Sequence, residues 1–402
     1  MTAQAAQAVR ERAGAGLIVF ICFLIAAVEG YDIQAFGVAA PRLIPDLGLD
    51  PSQQGWAASA AMIGLVLGAF VGGWAADRVG RKPVLLASVL TFGAFSVATA
   101  LSQGYEGLLW ARFLTGLGFG GAMPNLIAVA SEISPPRRRA ATVTMMFCGM
   151  PAGGASVALL ARLLGDELSW RALFMVGGVL PLVLAPLVFF LLPETRPEPD
   201  AGADRSTWRG LFGERRAAAT LILWGVFVLT LLVLYLMLNW LPTLVVAKGL
   251  TADDGSAAAL SFNLVSIAGA LLLGFVVDRA GYRWPVTLTF LLLALTMGAL
   301  AAAGTLSPVL ALSGLAGFLL LGAQYALYAV IPSLYPAQVR AAGTGAAVAI
   351  GRLGSIAGPL VAGELRAAGY SAGQVFGLMI PVVLAAAAGV LVLSWFARPH
   401  EI

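Results

Sequence analysis

Gly73-Trp-Ala-Ala-Asp77-Arg78-Val-Gly80-Arg81-Lys82 closes one long apolar segment and opens the next through a tight, basic turn. A related stretch returns as Gly274-Phe-Val-Val-Asp278-Arg279-Ala-Gly281-Tyr-Arg283. Asp77 and Asp278 stand 201 positions apart, half of a 402-residue chain. A charged turn repeated at half-length points to a duplicated architecture.

The segments around these turns decide the solvent. Hydrophobic residues make up 60% of the chain and charged residues 11%, where a soluble domain carries about 25% charged residues. A membrane-crossing helix needs about 20 mostly apolar residues. Twelve such stretches can be read, at roughly 15–40, 53–76, 83–103, 107–131, 139–163, 172–192, 218–246, 256–277, 285–304, 308–333, 342–364 and 374–396. Arg10 and Arg12 precede the first in the manner of a signal peptide, but Glu29 and Asp32 interrupt it and eleven more stretches follow, so it reads as a membrane helix. The expected fold class is an all-α integral membrane protein with twelve transmembrane helices.

Orientation follows from the basic residues. With the N-terminus inside, Arg78, Arg81, Lys82, Arg137, Arg138, Arg139, Arg196, Arg205, Arg209, Arg215 and Arg216 fall on the cytoplasmic side, against Arg42, Arg162, Arg171, Lys248 and Arg366 outside. Both termini are therefore expected in the cytoplasm, with the chain multi-pass in the cytoplasmic (inner) membrane. Trp56, Trp74, Trp110, Trp170, Trp240, Trp284 and Trp395 fall near helix ends, as an interfacial belt requires. This topology explains the net charge of +4, and no nucleic-acid partner is expected. The lipid bilayer is the partner that the composition demands.

The longest polar stretch, 193–217, is Pro-rich and separates an N-terminal six-helix bundle, 1–192, from a C-terminal one, 218–402. Within it Trp208, Leu211 and Phe212 interleave with Arg205, Arg209, Arg215 and Arg216. The pattern fits either a short helix on the anionic inner leaflet or a solvated tether. Cys22 and Cys148 lie in apolar segments without metal-like spacing, and neither a metal nor a cofactor is expected. The single histidine, His400, sits at the C-terminus. Proton chemistry inside the membrane would have to use carboxylates.

Only Glu29, Asp32, Arg112 and Arg352 lie well inside a span, and such charges tend to be functional. Glu132 stands near the cytoplasmic end of its helix, close in sequence to Arg137–Arg139. Glu29, Asp32 and Phe36 follow i, i+3, i+7 and share one helical face. At about 1.5 Å per residue, Asp32 lies about 12 Å and Arg112 about 8 Å below the outer ends of their helices. That depth permits Asp32 or Glu29 to pair with Arg112. Arg352 lies about 15 Å into the eleventh helix, near the midplane. Static charge pairs holding helices together are the alternative reading, yet hydrocarbon side chains would avoid the desolvation cost of such pairs.

Gly116, Gly118, Gly120 and Gly121 follow Arg112. No strand precedes them, so a dinucleotide fingerprint is rejected; small residues at i, i+4 allow close helix approach. Tyr235 and Asn239 share a face of the seventh helix, while Gln324, Tyr325 and Tyr328 lie in the tenth. Together with Arg352 they would suit a carboxylated aromatic ligand, which needs a cation and stacking surfaces.

The Asp77 motif, its weaker copy and Arg112-x-x-x-Gly116-x-Gly118-x-Gly120 resemble the major facilitator superfamily over the whole chain. More narrowly, Glu29-Gly-Tyr-Asp32, Asn239-Trp-Leu-Pro242 and Gly351-Arg352-Leu-Gly354 resemble the aromatic acid:proton symporters, in the branch of the 3-hydroxyphenylpropionate transporters. Most of that family carries Asp where Glu29 stands. The resemblance implies two pseudo-symmetric six-helix bundles and import of an aromatic carboxylate with protons by alternating access, by a monomer that is not an enzyme. It implies that Glu29 and Asp32 are protonatable, that Arg112 partners Asp32, and that Arg352 holds the substrate carboxylate. Asp77, Arg78 and Arg81, echoed by Asp278 and Arg279, would form inner latches. Tyr282 and Trp284 flank Arg283 where the first copy reads Arg81-Lys82, so gating is expected to differ between the halves. A drug or organic-anion exporter and a sugar-type symporter are the competing readings. The interrupted Gly149-Met-Pro151-Ala-Gly153-Gly154 argues against the first, and the lack of paired glutamines in the seventh helix against the second.

Overall fold

The structure, a computed structural model, describes residues 3–132, 139–165, 169–192, 212–213, 216–335 and 337–396. Among them are thirteen α-helices: α1 (Ala3–Leu47), α2 (Pro51–Val79), α3 (Arg81–Ala100), α4 (Tyr105–Glu132), α5 (Arg139–Phe147), α6 (Gly149–Leu164), α7 (Trp170–Leu191), α8 (Arg216–Val246), α9 (Ala252–Ala280), α10 (Arg283–Ala302), α11 (Leu306–Leu334), α12 (Ala337–Ala367) and α13 (Ala372–Leu393). Twelve helical stretches are long and apolar enough to cross a membrane, as the composition requires. In hydrocarbon only a helix or a closed barrel satisfies every backbone polar group internally.

Three boundaries differ from the sequence reading. The fifth span is broken at Cys148 into α5 and α6. Helix α1 runs on through Pro41 and Pro45 to Leu47, because a proline in a membrane helix need not end it when neighbours pack against the freed backbone. Asp32 therefore lies about 22 Å from the C-terminal end of α1, not 12 Å. Helix α12 starts earlier and ends later than expected, which makes Arg352 the central residue of its 31. Of the 193–217 stretch, only Phe212, Gly213, Arg216 and Ala217 are described. The Trp208–Leu211 segment and the Glu132 and Arg137–Arg139 side chains lie outside the described residues. Phe212 meets Trp224 of α8 edge-on, with ring centroids 5.6 Å apart.

Both copies of the charged turn use glycine in the same way. Gly80, between α2 and α3, has φ +100°, and Gly281, between α9 and α10, has φ +72°. An L-residue with a side chain rarely adopts that backbone, so the duplicated glycine lets two consecutive spans reverse without a longer loop.

In lipid the hydrophobic effect gives helices little reason to associate, and close packing must supply it. Small residues do so here. On α4, a Cβ at Gly116 would collide with the Ala61 carbonyl of α2, while one at Gly118 would lie 2.6 Å from the Phe92 nitrogen of α3. The glycine run thus wedges α4 against two neighbours, and Phe92 meets Phe119 with centroids 4.7 Å apart. Gly30 of α1 abuts the Met150 carbonyl of α6, and Gly153 of α6 abuts the Ala27 carbonyl of α1. On α12, Gly354 and Gly358 press on the Val228 and Leu232 carbonyls of α8. Each approach sits within about one or two turns of a membrane-embedded charge.

Packing divides the chain into two compact units. One comprises Met1–Ala35, Ala60–Val157 and Glu167–Pro199; the other comprises Phe36–Ser59, Ala158–Asp166 and Asp200–Ile402. The C-terminal end of α1, the N-terminal end of α2 and the C-terminal end of α6 thus join the unit formed mainly by the C-terminal half. Several contacts hold them there. A Cβ at Gly37 would strike the Leu238 carbonyl, and one at Gly55 would lie 2.9 Å from the Pro359 carbonyl. Ser59 Oγ donates to the Ile356 carbonyl at 2.7 Å, Gln54 Nε2 to Thr243 Oγ1 at 3.0 Å and Ser52 Oγ to Glu364 at 2.6 Å. Arg42 donates to Asp253 at 2.8 Å and to the Gly165 carbonyl at 3.3 Å. The Asp253 side chain is 43% exposed, so this ion pair contributes little on its own. Backbone-close packing at the glycines carries the larger share.

Candidate functional site

In the first unit, two helices bring polar groups to Asp32 of α1. Arg112 Nη1 of α4 donates to Asp32 Oδ2 at 2.6 Å, and Ser96 Oγ of α3 donates to Asp32 Oδ1 at 2.6 Å. Asp32 is 0% and Arg112 1% exposed, and both carboxylate oxygens act as acceptors. The guanidinium carbon also lies 5.5 Å from the Phe174 ring centroid of α7. A neighbouring hydroxyl, Tyr31 Oη, donates to the Leu173 carbonyl at 3.1 Å. Glu29, one turn inward on α1, is equally buried. Burying an ion pair this completely often costs more than the charges regain from each other, so the arrangement is poorly explained by stability alone.

The second unit gathers an arginine and several aromatic rings. Arg352 Nη1 of α12 donates to Tyr235 Oη of α8 at 2.9 Å. That bond ties the planar guanidinium fork of α12 to α8. Gly351, Gly354 and Gly358 make this possible, because they bring α12 down onto the backbone and side chains of α8. Tyr328 of α11 meets Phe227 of α8 at 5.6 Å and 74°, and Tyr325 at 6.4 Å and 45°. Gln324 lies one turn before Tyr328 on the same face of α11. A cation held beside angled rings can take a carboxylate and the ring attached to it.

Other expected residues are placed differently. Asn239 donates its amide back to the Tyr235 carbonyl at 2.9 Å, so it serves its own helix. Next to it, Trp240 Nε1 donates to the Pro359 carbonyl at 3.1 Å and ties α8 to α12. Phe36 is fully buried and belongs to the outer segment that packs with the second unit. At the charged turns, Asp77 and Arg78 are exposed and Arg81 is half-buried. Arg78 stacks 3.9 Å over Trp74, and Arg279 stacks 3.6 Å over Phe275. The Asp278 side chain lies outside the described residues.

The sequence reading missed Ser96 and Arg42. Ser96 is a lone hydroxyl in an apolar span, and only its depth relative to Asp32 could have singled it out. Arg42, expected in an outer loop, lies on α1, which runs on to Leu47.

Residues 22–359 match the family model of the Major Facilitator Superfamily. The chain is 41% identical over 380 residues to the 3-(3-hydroxyphenyl)propionate transporter of Escherichia coli (strain K12), covering 94% of this chain and 93% of that one. It is 36% identical over 411 residues to the 4-hydroxybenzoate transporter PcaK of Pseudomonas aeruginosa, covering 93% and 91%. Among solved structures, a bacterial homolog of the human lysosomal transporter Spinster, inward-facing and occupied, aligns with a TM-score of 0.76 at 16% identity, covering 96% of this chain and 98% of that one. This last likeness concerns the fold.

Proposed function

The chain belongs to the major facilitator superfamily, and from that premise we propose that it imports an aromatic carboxylate together with protons by alternating access. It is a multi-pass membrane transporter and not an enzyme. The observation that carries the substrate class is Arg352, central in α12, oriented by Tyr235 and set near the Tyr328 and Phe227 rings. The named substrates of the two relatives above are aromatic acids, which supports the same reading. Arg352 takes the carboxylate, and Tyr235, Tyr325, Tyr328 and Gln324 shape the ring site. Glu29 carries the coupling proton, while Asp32 and Arg112 form its charge partner. The protein acts as a monomer in the cytoplasmic membrane with both termini inside, as the distribution of Lys and Arg favours.

The test is uptake by the purified protein in proteoliposomes, using 3-(3-hydroxyphenyl)propionate and 4-hydroxybenzoate as probes. One unit of pH gradient supplies about 1.4 kcal/mol per proton, or roughly tenfold accumulation. Uptake that ignores both the gradient and a protonophore would overturn proton coupling.

Asp77, Arg78 and Arg81, with Asp278 and Arg279 in the second copy, act as the inner latch in this reading. Asp77 lies on an exposed surface, so Asp77→Asn is expected to keep substrate affinity and slow net transport by shifting the balance of alternating states. Turnover equal to wild type would leave the turn with a topological role only.

A further inference from the structure

We infer that Gln324 is a specificity-determining residue, whose carbonyl oxygen accepts a hydrogen bond from a hydroxyl group on the substrate's ring. The inference rests on Arg352 being the carboxylate site. Gln324 is 7% exposed, and its Oε1 is buried without a hydrogen-bond partner. Tyr328 stands one turn further along α11 and therefore on the same face. The Gln324 oxygen is thus a buried acceptor with nothing to accept from.

Tyr328 links this acceptor to the cation. Its ring, 37% exposed, stands against Phe227, and a Cβ at Gly351, next to Arg352 on α12, would lie 3.1 Å from the Phe227 Cβ. An aromatic acid seated with its carboxylate on Arg352 and its ring along Tyr328 would carry a distal hydroxyl toward Gln324. An orphaned buried acceptor is a strong discriminator. A ligand that supplies the donor relieves it, and a ligand that covers it without a donor leaves it buried and unmet. Apolar packing alone discriminates far less well between a ring with and without a hydroxyl.

The experiment measures binding of matched pairs to the purified protein: 4-hydroxybenzoate against benzoate, and 3-(3-hydroxyphenyl)propionate against 3-phenylpropionate. Wild type is expected to favour the hydroxylated member of at least one pair by about 10- to 100-fold. Gln324→Met, similar in volume and without the amide, should bring that ratio close to one, chiefly by weakening the hydroxylated acid. Arg352→Ala should weaken both members together, which separates the two roles. A second measurement needs no variant at Gln324: the methyl ether of the preferred acid cannot donate, and wild type should bind it no better than the unsubstituted acid. A ratio unchanged in Gln324→Met, or a methyl ether bound as tightly as the phenol, overturns the role of Gln324 while leaving Arg352 as the carboxylate site. If wild type binds none of these acids, the substrate reading itself fails and this inference with it.

Discussion

Arg352→Ala is expected to abolish measurable binding of aromatic carboxylates. Truncating one member of a desolvated, hydrogen-bonded charge pair costs about 2–5 kcal/mol, which weakens binding by roughly 30-fold to several-thousand-fold. Tyr235 accepts from one nitrogen of the guanidinium at 2.9 Å, which sets the plane of the group. Arg352→Lys should recover little, since an ammonium has no planar fork. The neutral primary amide of the same acid should lose far less affinity than the acid does. Calorimetric titration of wild type and both variants decides the matter. If Arg352→Ala binds the acid with wild-type affinity, Arg352 is a structural residue and the carboxylate is held elsewhere.

The second large effect separates the two buried acids of α1. Asp32 accepts from Arg112 and Ser96 at 2.6 Å each. Asp32→Asn removes the charge opposite a guanidinium that is 1% exposed, and breaking a buried pair this way costs about 3–5 kcal/mol. It should therefore damage thermal stability, substrate exchange and proton-driven uptake together. Glu29→Gln keeps the shape of the side chain while removing its ability to carry a proton. Exchange of substrate between the two sides should persist in that variant, and its dependence on pH should be lost or much reduced. Charge transfer gives an independent readout. A monoanion carried with one proton is electroneutral, whereas each additional proton makes uptake sensitive to membrane potential by about 2.3 kcal/mol per 100 mV. Counterflow and proton-driven uptake at several pH values test both variants. Identical defects would mean that the acids titrate as one unit and that the division of labour is wrong.

The twelve spans were legible because hydrocarbon imposes a single requirement on every crossing segment, and a long apolar run states it without reference to neighbours. The four membrane-embedded charges were legible for the same reason, since each interrupts such a run. Asp32 and Arg112 do meet, although α1 runs on to Leu47 and places Asp32 about 22 Å rather than 12 Å from its end. What could not be read was anything set by the lateral neighbours of a helix. Ser96 is one hydroxyl among many until α3 is known to face α1 at that level. Asn239 and Tyr235 share a helical face, but the face alone does not reveal that Asn239 spends its amide on the backbone. The expected end of α1 near residue 40 fell short because the helix continues through Pro41 and Pro45 to Leu47, where Arg42 meets Asp253.

That extension of α1 makes one helix serve both compact units. Asp32 sits in the charge cluster, and Arg42 grips Asp253 ten residues further along. At 1.5 Å per residue the two points are about 15 Å apart on what behaves as a stiff rod. One continuous helix thus carries the buried charge of one unit and the partner of Asp253 in the other.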